Sequence, residues 1–290
     1  MRVRLLAALL SALCLATLTA AERHPMKGIV VSVDPAGRRM VVSTEAVPGF
    51  MAAMAMTVAV RGGAPLAGLT PGAAIEFVYV VDGKVSYAQD VSVRGRAPLD
   101  RKQLEIDRLK VLGAIAPPAN RPKPLAIGDR VPEFTLTDQR QQRVSLSALA
   151  GNVVAMGFGY VRCSNPAYCF RLASNLGALQ SRLKDRIGRD LVLLTVVLDP
   201  QRDRGDALAE YARVWTSQPS GWHFLTGSPE DIARVAGSFG VEFWKDEGQV
   251  LHTLNTVVID RHGRLAASLD GNEFAANQLV DVTVGVLQRP

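Results

Sequence analysis

Residues 191–198 read Leu-Val-Leu-Leu-Thr-Val-Val-Leu between Asp190 and Asp199, with no charged side chain in the run. A strand with one face in water alternates polar and apolar side chains. This one does not, so both of its faces must be covered, which predicts a buried parallel strand with helices packed on each side. Residues 134–137 and 153–158 read as further strands, and 166–183, 205–215, 229–239 and 275–287 read as helices. Segments 256–260 and 265–269 flank Arg261-His262-Gly263-Arg264 as a hairpin. Strands that alternate with helices and end in a hairpin plus helix predict an α/β unit with a mixed central sheet, over residues 126–290.

The first third of the chain keeps a different period. Residues 28–33, 39–43, 57–60, 74–81 and 84–93 read as short strands. Between them stand the turn signals Asp34-Pro35-Ala36-Gly37, Pro48-Gly49, Arg61-Gly62-Gly63, Pro71-Gly72 and Asp82-Gly83. Five such strands over residues 24–94 predict a small all-β, OB-like barrel. The stretch 95–125 holds a charged helical segment, 99–112, and then Pro117, Pro118, Pro122 and Pro124, the composition of a helical, proline-rich linker. Two folded units fit a chain of 290 residues.

The N-terminus has the layout of a secretory signal over residues 1–21. Arg2 and Arg4 precede the apolar run 5–18, and Thr19-Ala20-Ala21 supplies small residues for cleavage. The run is shorter than the ~20 apolar residues of a membrane span. Export to the periplasm is therefore expected, with membrane attachment only if the segment is retained. Leu13 stands before Cys14 where a lipoprotein signal needs a small residue. The net charge is +6, and the short basic runs 94–96 and 121–123 carry no interleaved aromatics, so the sequence gives no reason to expect a nucleic-acid partner. Cleavage leaves two cysteines, Cys163 and Cys169, in an oxidising compartment.

Those two cysteines carry the densest chemical signal. In Gly157-Phe158-Gly159-Tyr160-Val161-Arg162-Cys163-Ser164-Asn165-Pro166-Ala167-Tyr168-Cys169 a buried strand ends, a tight connection carries one thiol, and a helix opens with Asn165 as cap and Pro166 at its first position. Thiols near a helix N-terminus are expected to favour thiolate, the form that attacks disulfides and ligates soft metals. Cysteines six apart face different sides of a regular helix, so the loop must fold back to bring them together. His252, at the entry to the hairpin strand expected beside the Cys-loop strand, is the third candidate. Two thiolates and an imidazole suit copper in both oxidation states. Other readings stay open: a structural disulfide, an imidazole that only packs, or a redox pair with Cys163 as nucleophile and Cys169 as resolving thiol. His262 reads as a solvated turn residue and His223, beside Trp222, as packing.

From Gly128 to the C-terminus the chain resembles the Sco/SenC family of copper chaperones for cytochrome c oxidase assembly. The matching elements are Gly128-Asp129-Arg130-Val131-Pro132-Glu133-Phe134, the strand-to-Cys loop, Asp199-Pro200 with Asp203, and His252 followed by Thr256-Val257-Val258-Ile259-Asp260-Arg261-His262-Gly263. The resemblance implies a thioredoxin-like fold, copper bound by Cys163, Cys169 and His252, and a copper-receiving partner such as a cytochrome c oxidase subunit. The family's usual spacing has three residues between the cysteines; here there are five. Thioredoxin-like reductases place a cis-proline just before the strand facing their cysteines, and Thr253-Leu254-Asn255-Thr256 has none, which favours metal binding over general disulfide exchange.

Met51, Met54 and Met56 lie within six residues. Met54 and Met56 share a face if the segment is extended, and thioethers are soft ligands that select Cu(I). They can equally fill a small barrel core. The segment is similar to the CusF-like copper-binding barrel, with Met54 and Met56 at its paired methionines and Met51 where an aromatic cap or methionine is usual. The histidine of that motif is replaced by Thr44. The sequence thus leads to the expectation of an exported metallochaperone that carries copper at both sites. The alternative is a periplasmic thiol-disulfide oxidoreductase using Cys163 and Cys169.

Overall fold

A computed structural model describes residues 21–62, 66, 68–94, 122–163, 166–218, 221–246 and 248–289. Residues 1–20 of the expected leader at 1–21, the helix at 99–112, most of the linker, and Asn165 lie outside the described residues.

Five strands, β1 (Glu22–Asp34), β2 (Arg39–Thr44), β3 (Ala55–Val60), β4 (Ala74–Asp82) and β5 (Val85–Val93), close on themselves in the order β1-β2-β3-β5-β4. β1 closes the barrel because it pairs with β2 along its C-terminal half and with β4 from Glu22 to Ile29. It starts six residues earlier than its apolar pattern suggests. Glu22-Arg23-His24-Pro25 show no alternation, and their strand geometry comes from β4 alone. Met26, Val30, Met40, Val42, Val58, Val60, Ile75, Phe77 and Ala88 fill the interior.

The second unit begins with a short hairpin, β6 (Thr135–Thr137) and β7 (Arg143–Ser145), followed by β8 (Val153–Gly159). A single π-turn, Pro166–Phe170, leads into α1 (Arg171–Arg182). Then come β9 (Leu191–Val197), α2 (Gly205–Trp215), β10 (Trp222–Leu225), α3 (Pro229–Ser238), the hairpin β11 (Phe243–Asp246) and β12 (Gln249–His252), β13 (Asn255–Ile259), β14 (Leu265–Asp270) and α4 (Ala276–Leu287). The main sheet has the order β10-β9-β8-β13-β14. β8, β9 and β10 run parallel, and β13 and β14 are antiparallel. β9 is buried at every residue, as its apolar run requires. α1, α2 and α4 cover one face through Leu176, Leu179, Leu208, Leu279 and Val282. α3 covers the other through Ile232 and Val235, beside Phe134 and Leu136.

The barrel packs directly on α4. Residues Gly28 to Val31 of β1 are buried in succession because alternate side chains face the barrel interior and the α4 side. Ile29 and Val31 share a core with Leu279, Val282 and Val286. Two glycines allow this approach: a Cβ on Gly285 would collide with Val31, and one on Gly72, at φ 93°, with the Ser268 backbone. Arg94, at the barrel's exit, lies 3.0 Å from Glu273 and 3.7 Å from Glu45. Among the described residues, no helix is long and apolar enough to cross a membrane.

Candidate metal centre

The centre forms where β8 ends. Gly157 and Gly159 alternate with Phe158 so that α1 and the π-turn can lie close to the strand: a Cβ on Gly157 would strike Leu172, and one on Gly159 would sit 3.4 Å from the Cys169 sulfur. The backbone then turns through Tyr160, Val161 and Arg162, and the Cys163 N–H donates to the Tyr160 carbonyl at 3.4 Å. Cys163 is half-buried and Cys169 only 4% exposed, and neither is in a disulfide.

The third residue arrives from a separate hairpin. His252 ends β12, whose hairpin lies outside the main sheet; β13, which follows, is the strand that pairs with β8. His252 Nε2 lies 3.8 Å from Cys169 Sγ. Its Nδ1 is 2.9 Å from the Thr253 carbonyl oxygen. A carbonyl only accepts, so Nδ1 carries the proton, and the neutral ring presents the Nε2 lone pair to the sulfur. Burial pushes the His252 pKa down, which keeps the ring neutral. A neutral imidazole, oriented by a backbone carbonyl, is the form that ligates a metal.

The thiolate expectation is corrected for Cys169. Its hydrogen bond with Cys163 and its burial raise the pKa. The π-turn, rather than a capped helix start, holds the residue, and α1 begins only at Arg171. Cys169 is therefore a thiol until something replaces its proton. Tyr160 closes the site beside His252, ring centroids 6.1 Å apart, and burial with Cys163 alongside pushes its phenol up to about 12. Among the described residues no three of His, Cys, Asp and Glu already form a metal cage. Cys169 and His252 are pre-paired, and Cys163 lies on the adjoining turn. The donor set fits a soft, thiophilic cation, whose binding expels the thiol protons.

Two buried carboxylates to which the sequence assigned no role stand behind this site. Asp203 accepts a hydrogen bond from the Val161 N–H at 2.8 Å, and Asp199 lies 3.0 Å from the Lys245 ammonium on β11. The backbone carbonyl of Asp199 accepts from the N–H groups of Arg202 and Asp203 and closes the turn that follows β9. Burial pushes Asp203 up to about 6, against the lowering effect of the Val161 N–H. His223 is buried, as expected of a packing residue, and it also lies 3.1 Å from the buried Asp138 and ties β10 to the β6–β7 hairpin. His262 is in the turn between β13 and β14, as expected.

The methionines divide. Met51 and Met56 are half-buried against the barrel core, while Met54 is 50% exposed just before β3. Thr44, at the position of the expected histidine, is buried, and its hydroxyl and N–H both donate to the Met54 carbonyl at 2.9 Å. The barrel does hold an imidazole: His24 stacks on Phe50, centroids 3.6 Å apart. It escaped sequence reasoning because it comes from β1, twenty residues before the motif.

The SCO1/SenC family model matches residues 125–288. The chain belongs to the SCO1/SenC family. Among curated relatives, the mitochondrial protein SCO1 homolog 1 of Arabidopsis thaliana is 32% identical over 114 residues, 39% of this chain and 33% of that protein. The SCO1 protein homolog of Bacillus subtilis is 29% identical over 147 residues, 49% of this chain and 75% of that protein. The match thus spans about a third of the Arabidopsis relative. Of solved structures, a SCO1/SenC family lipoprotein from Bacillus anthracis aligns over 58% of this chain and all of its own, with TM-score 0.50 and 24% identity, and shares the fold. Arabidopsis ScoI, solved with copper bound, aligns over 57% of this chain and all of its own, with TM-score 0.48 and 27% identity. The thioredoxin-like fold of this family is the one seen from β6 to α4.

Proposed function

We propose that this SCO1/SenC chain is a copper carrier that binds the metal through Cys163, Cys169 and His252 and passes it on by ligand exchange. The observation that carries the reading is the 3.8 Å approach of the Cys169 sulfur to an imidazole nitrogen whose lone pair is already turned toward it. Thiolates hold Cu(I), and the imidazole completes a set able to hold Cu(II). Half-exposed Cys163 gives an incoming ligand a place to attack while Cys169 and His252 stay buried. The recipient that family resemblance suggests is a cytochrome c oxidase subunit under assembly. An exported location, with removal or retention of residues 1–21, agrees with that role.

The five-stranded closed barrel supports a second, CusF-like Cu(I) site at Met54, Met56 and Met51. Met54 is the exposed entry, and Thr44 supplies a backbone tie instead of a ligand. The test is Cu(I) stoichiometry of the mature chain, compared with Cys163→Ser/Cys169→Ser and with Met54→Ala/Met56→Ala. Loss of one equivalent in each variant supports two sites; full binding by both variants ends the proposal.

A different reading, thiol-disulfide exchange, is favoured by one observation: an accessible Cys163 next to a buried Cys169 is the arrangement of an attacking and a resolving thiol. Turnover in a disulfide-reduction assay that is unchanged in His252→Ala would select it.

A further inference from the structure

The turn after β9 uses two buried carboxylates in opposite directions. Asp199 and Asp203 are 5% and 1% exposed. Toward the Cys loop, Asp203 Oδ2 accepts from the N–H of Val161, two residues before Cys163 and 42 positions away in sequence. Toward the β11–β12 hairpin, Asp199 Oδ1 and Gln201 Oε1 lie 3.0 and 2.7 Å from the Lys245 ammonium, and Arg202 donates to the Gly248 carbonyl at 2.8 Å. The Lys245–Asp199 contact is an ion pair, not an aligned hydrogen bond. Lys245 pairs with Val250 in the hairpin, and His252 sits at the hairpin's base opposite Phe243. The turn is itself held by the Arg202 and Asp203 N–H groups, both bonded to the Asp199 carbonyl.

We infer that the Asp199–Asp203 turn is a positioning element that sets the Cys163 loop and the His252 hairpin relative to each other, with Asp203 and Lys245 as its two working contacts. The inference rests on the copper reading for its consequence, but not for its geometry. Cys163 and His252 come from separate segments, the loop after β8 and the β11–β12 hairpin, and neither of these carriers lies within the main sheet. Pairing of β8 with β13 ends at Gly157–Thr256, short of both residues, and does not by itself fix their separation. One short turn that grips both carriers can do so. The ionic part of the grip on the hairpin is made by an exposed lysine, which can be changed without opening the core.

The experiment compares Lys245→Met, Lys245→Arg, Asp203→Ala and Asp203→Asn. In the metal-free protein, hydrogen exchange of the Val161 amide and the alkylation rate of Cys163 report the Cys-side grip. In the copper-loaded protein, Cu(II) and Cu(I) affinities and the sulfur-to-Cu(II) charge-transfer band report the site. Lys245→Met is expected to weaken Cu(II) about tenfold, the size of an outer-shell effect. Its Cu(I) affinity and Cys163 alkylation should stay at wild-type values, and Lys245→Arg should restore Cu(II) binding. Asp203→Ala is expected to speed Val161 exchange and to change Cys163 alkylation about tenfold, with Asp203→Asn, which keeps an acceptor for Val161, restoring both. Cu(II) affinity within threefold of wild type in Lys245→Met, or unchanged exchange and alkylation in Asp203→Ala, overturns the inference. A wild-type chain that binds no copper at these residues contradicts the carrier reading instead, and the metal-free measurements still decide the Asp203 grip.

Discussion

Ser43 and Asp281, 238 residues apart, share a 2.6 Å hydrogen bond that joins barrel strand β2 to helix α4. Gln278, one turn earlier on the same helix, donates to the Ser43 carbonyl. These contacts flank the packing of Ile29 and Val31 on α4, so the barrel is fastened to the second unit by a shared apolar core and not only by the linker. A partly buried hydrogen bond to a carboxylate contributes about 1.5–3 kcal/mol. Asp281→Ala should lower the stability of the whole chain by that amount in urea unfolding. The harsher Gly285→Leu, which drives a side chain into Val31, should split one unfolding transition into two.

The buried Asp138 carries a pH signature. Burial alone would raise its pKa, but hydrogen bonds from the Gln142 N–H, His223 and Arg140 bring it below the usual carboxylate value. A depressed folded pKa means stability that is present above about pH 4 and lost as pH falls through the folded value. Asp138→Ala should cost about 2–4 kcal/mol at pH 7, since it strands His223 and two backbone donors in the interior. The penalty should shrink as the pH is lowered, which equilibrium unfolding across pH 3–7 would show.

Asp203 works in the opposite sense. With its folded pKa pushed up to about 6, the native state holds the proton more tightly than the unfolded chain does. Its contribution is therefore fully present below about pH 4 and is lost as pH rises through 6, up to about 3 kcal/mol in all. Asp203→Asn removes that dependence while keeping an acceptor for Val161. Relative to wild type, the variant should gain stability between pH 4.5 and 7.5, and a difference flat with pH would contradict the assignment.

The thiols should react unequally. Cys169 is buried within the π-turn and its pKa is raised, whereas Cys163 is partly exposed. Alkylation of the reduced, metal-free chain, followed by mass spectrometry, should modify Cys163 at least about tenfold faster. Equal rates would mean that the loop opens freely.

Much of this architecture is legible in the sequence because single segments specify it. The uncharged run of β9 and the helix Gly205–Trp215 need no partner to be recognised. β10, β11 and β12 are not legible. Trp222-His223-Phe224-Leu225 is too short to show a period, and Phe243-Trp244-Lys245-Asp246 owes its extension to pairing with Gln249–His252. The site divides the same way. Cys163, Cys169 and His252 declare themselves by residue type, and the family resemblance groups them. The roles of Tyr160, Asp203 and Lys245 come from contacts between segments tens of residues apart, and a common polar residue gives no signal of such a contact.

The central claim is that two sulfurs and one imidazole share a metal ion. X-ray absorption at the copper edge of the Met54→Leu/Met56→Leu chain, loaded with one equivalent, tests it without the barrel. The account expects sulfur scattering from Cys163 and Cys169 together with an imidazole nitrogen signal that disappears in His252→Ala. Copper without sulfur neighbours, or a nitrogen signal unchanged in His252→Ala, would contradict it.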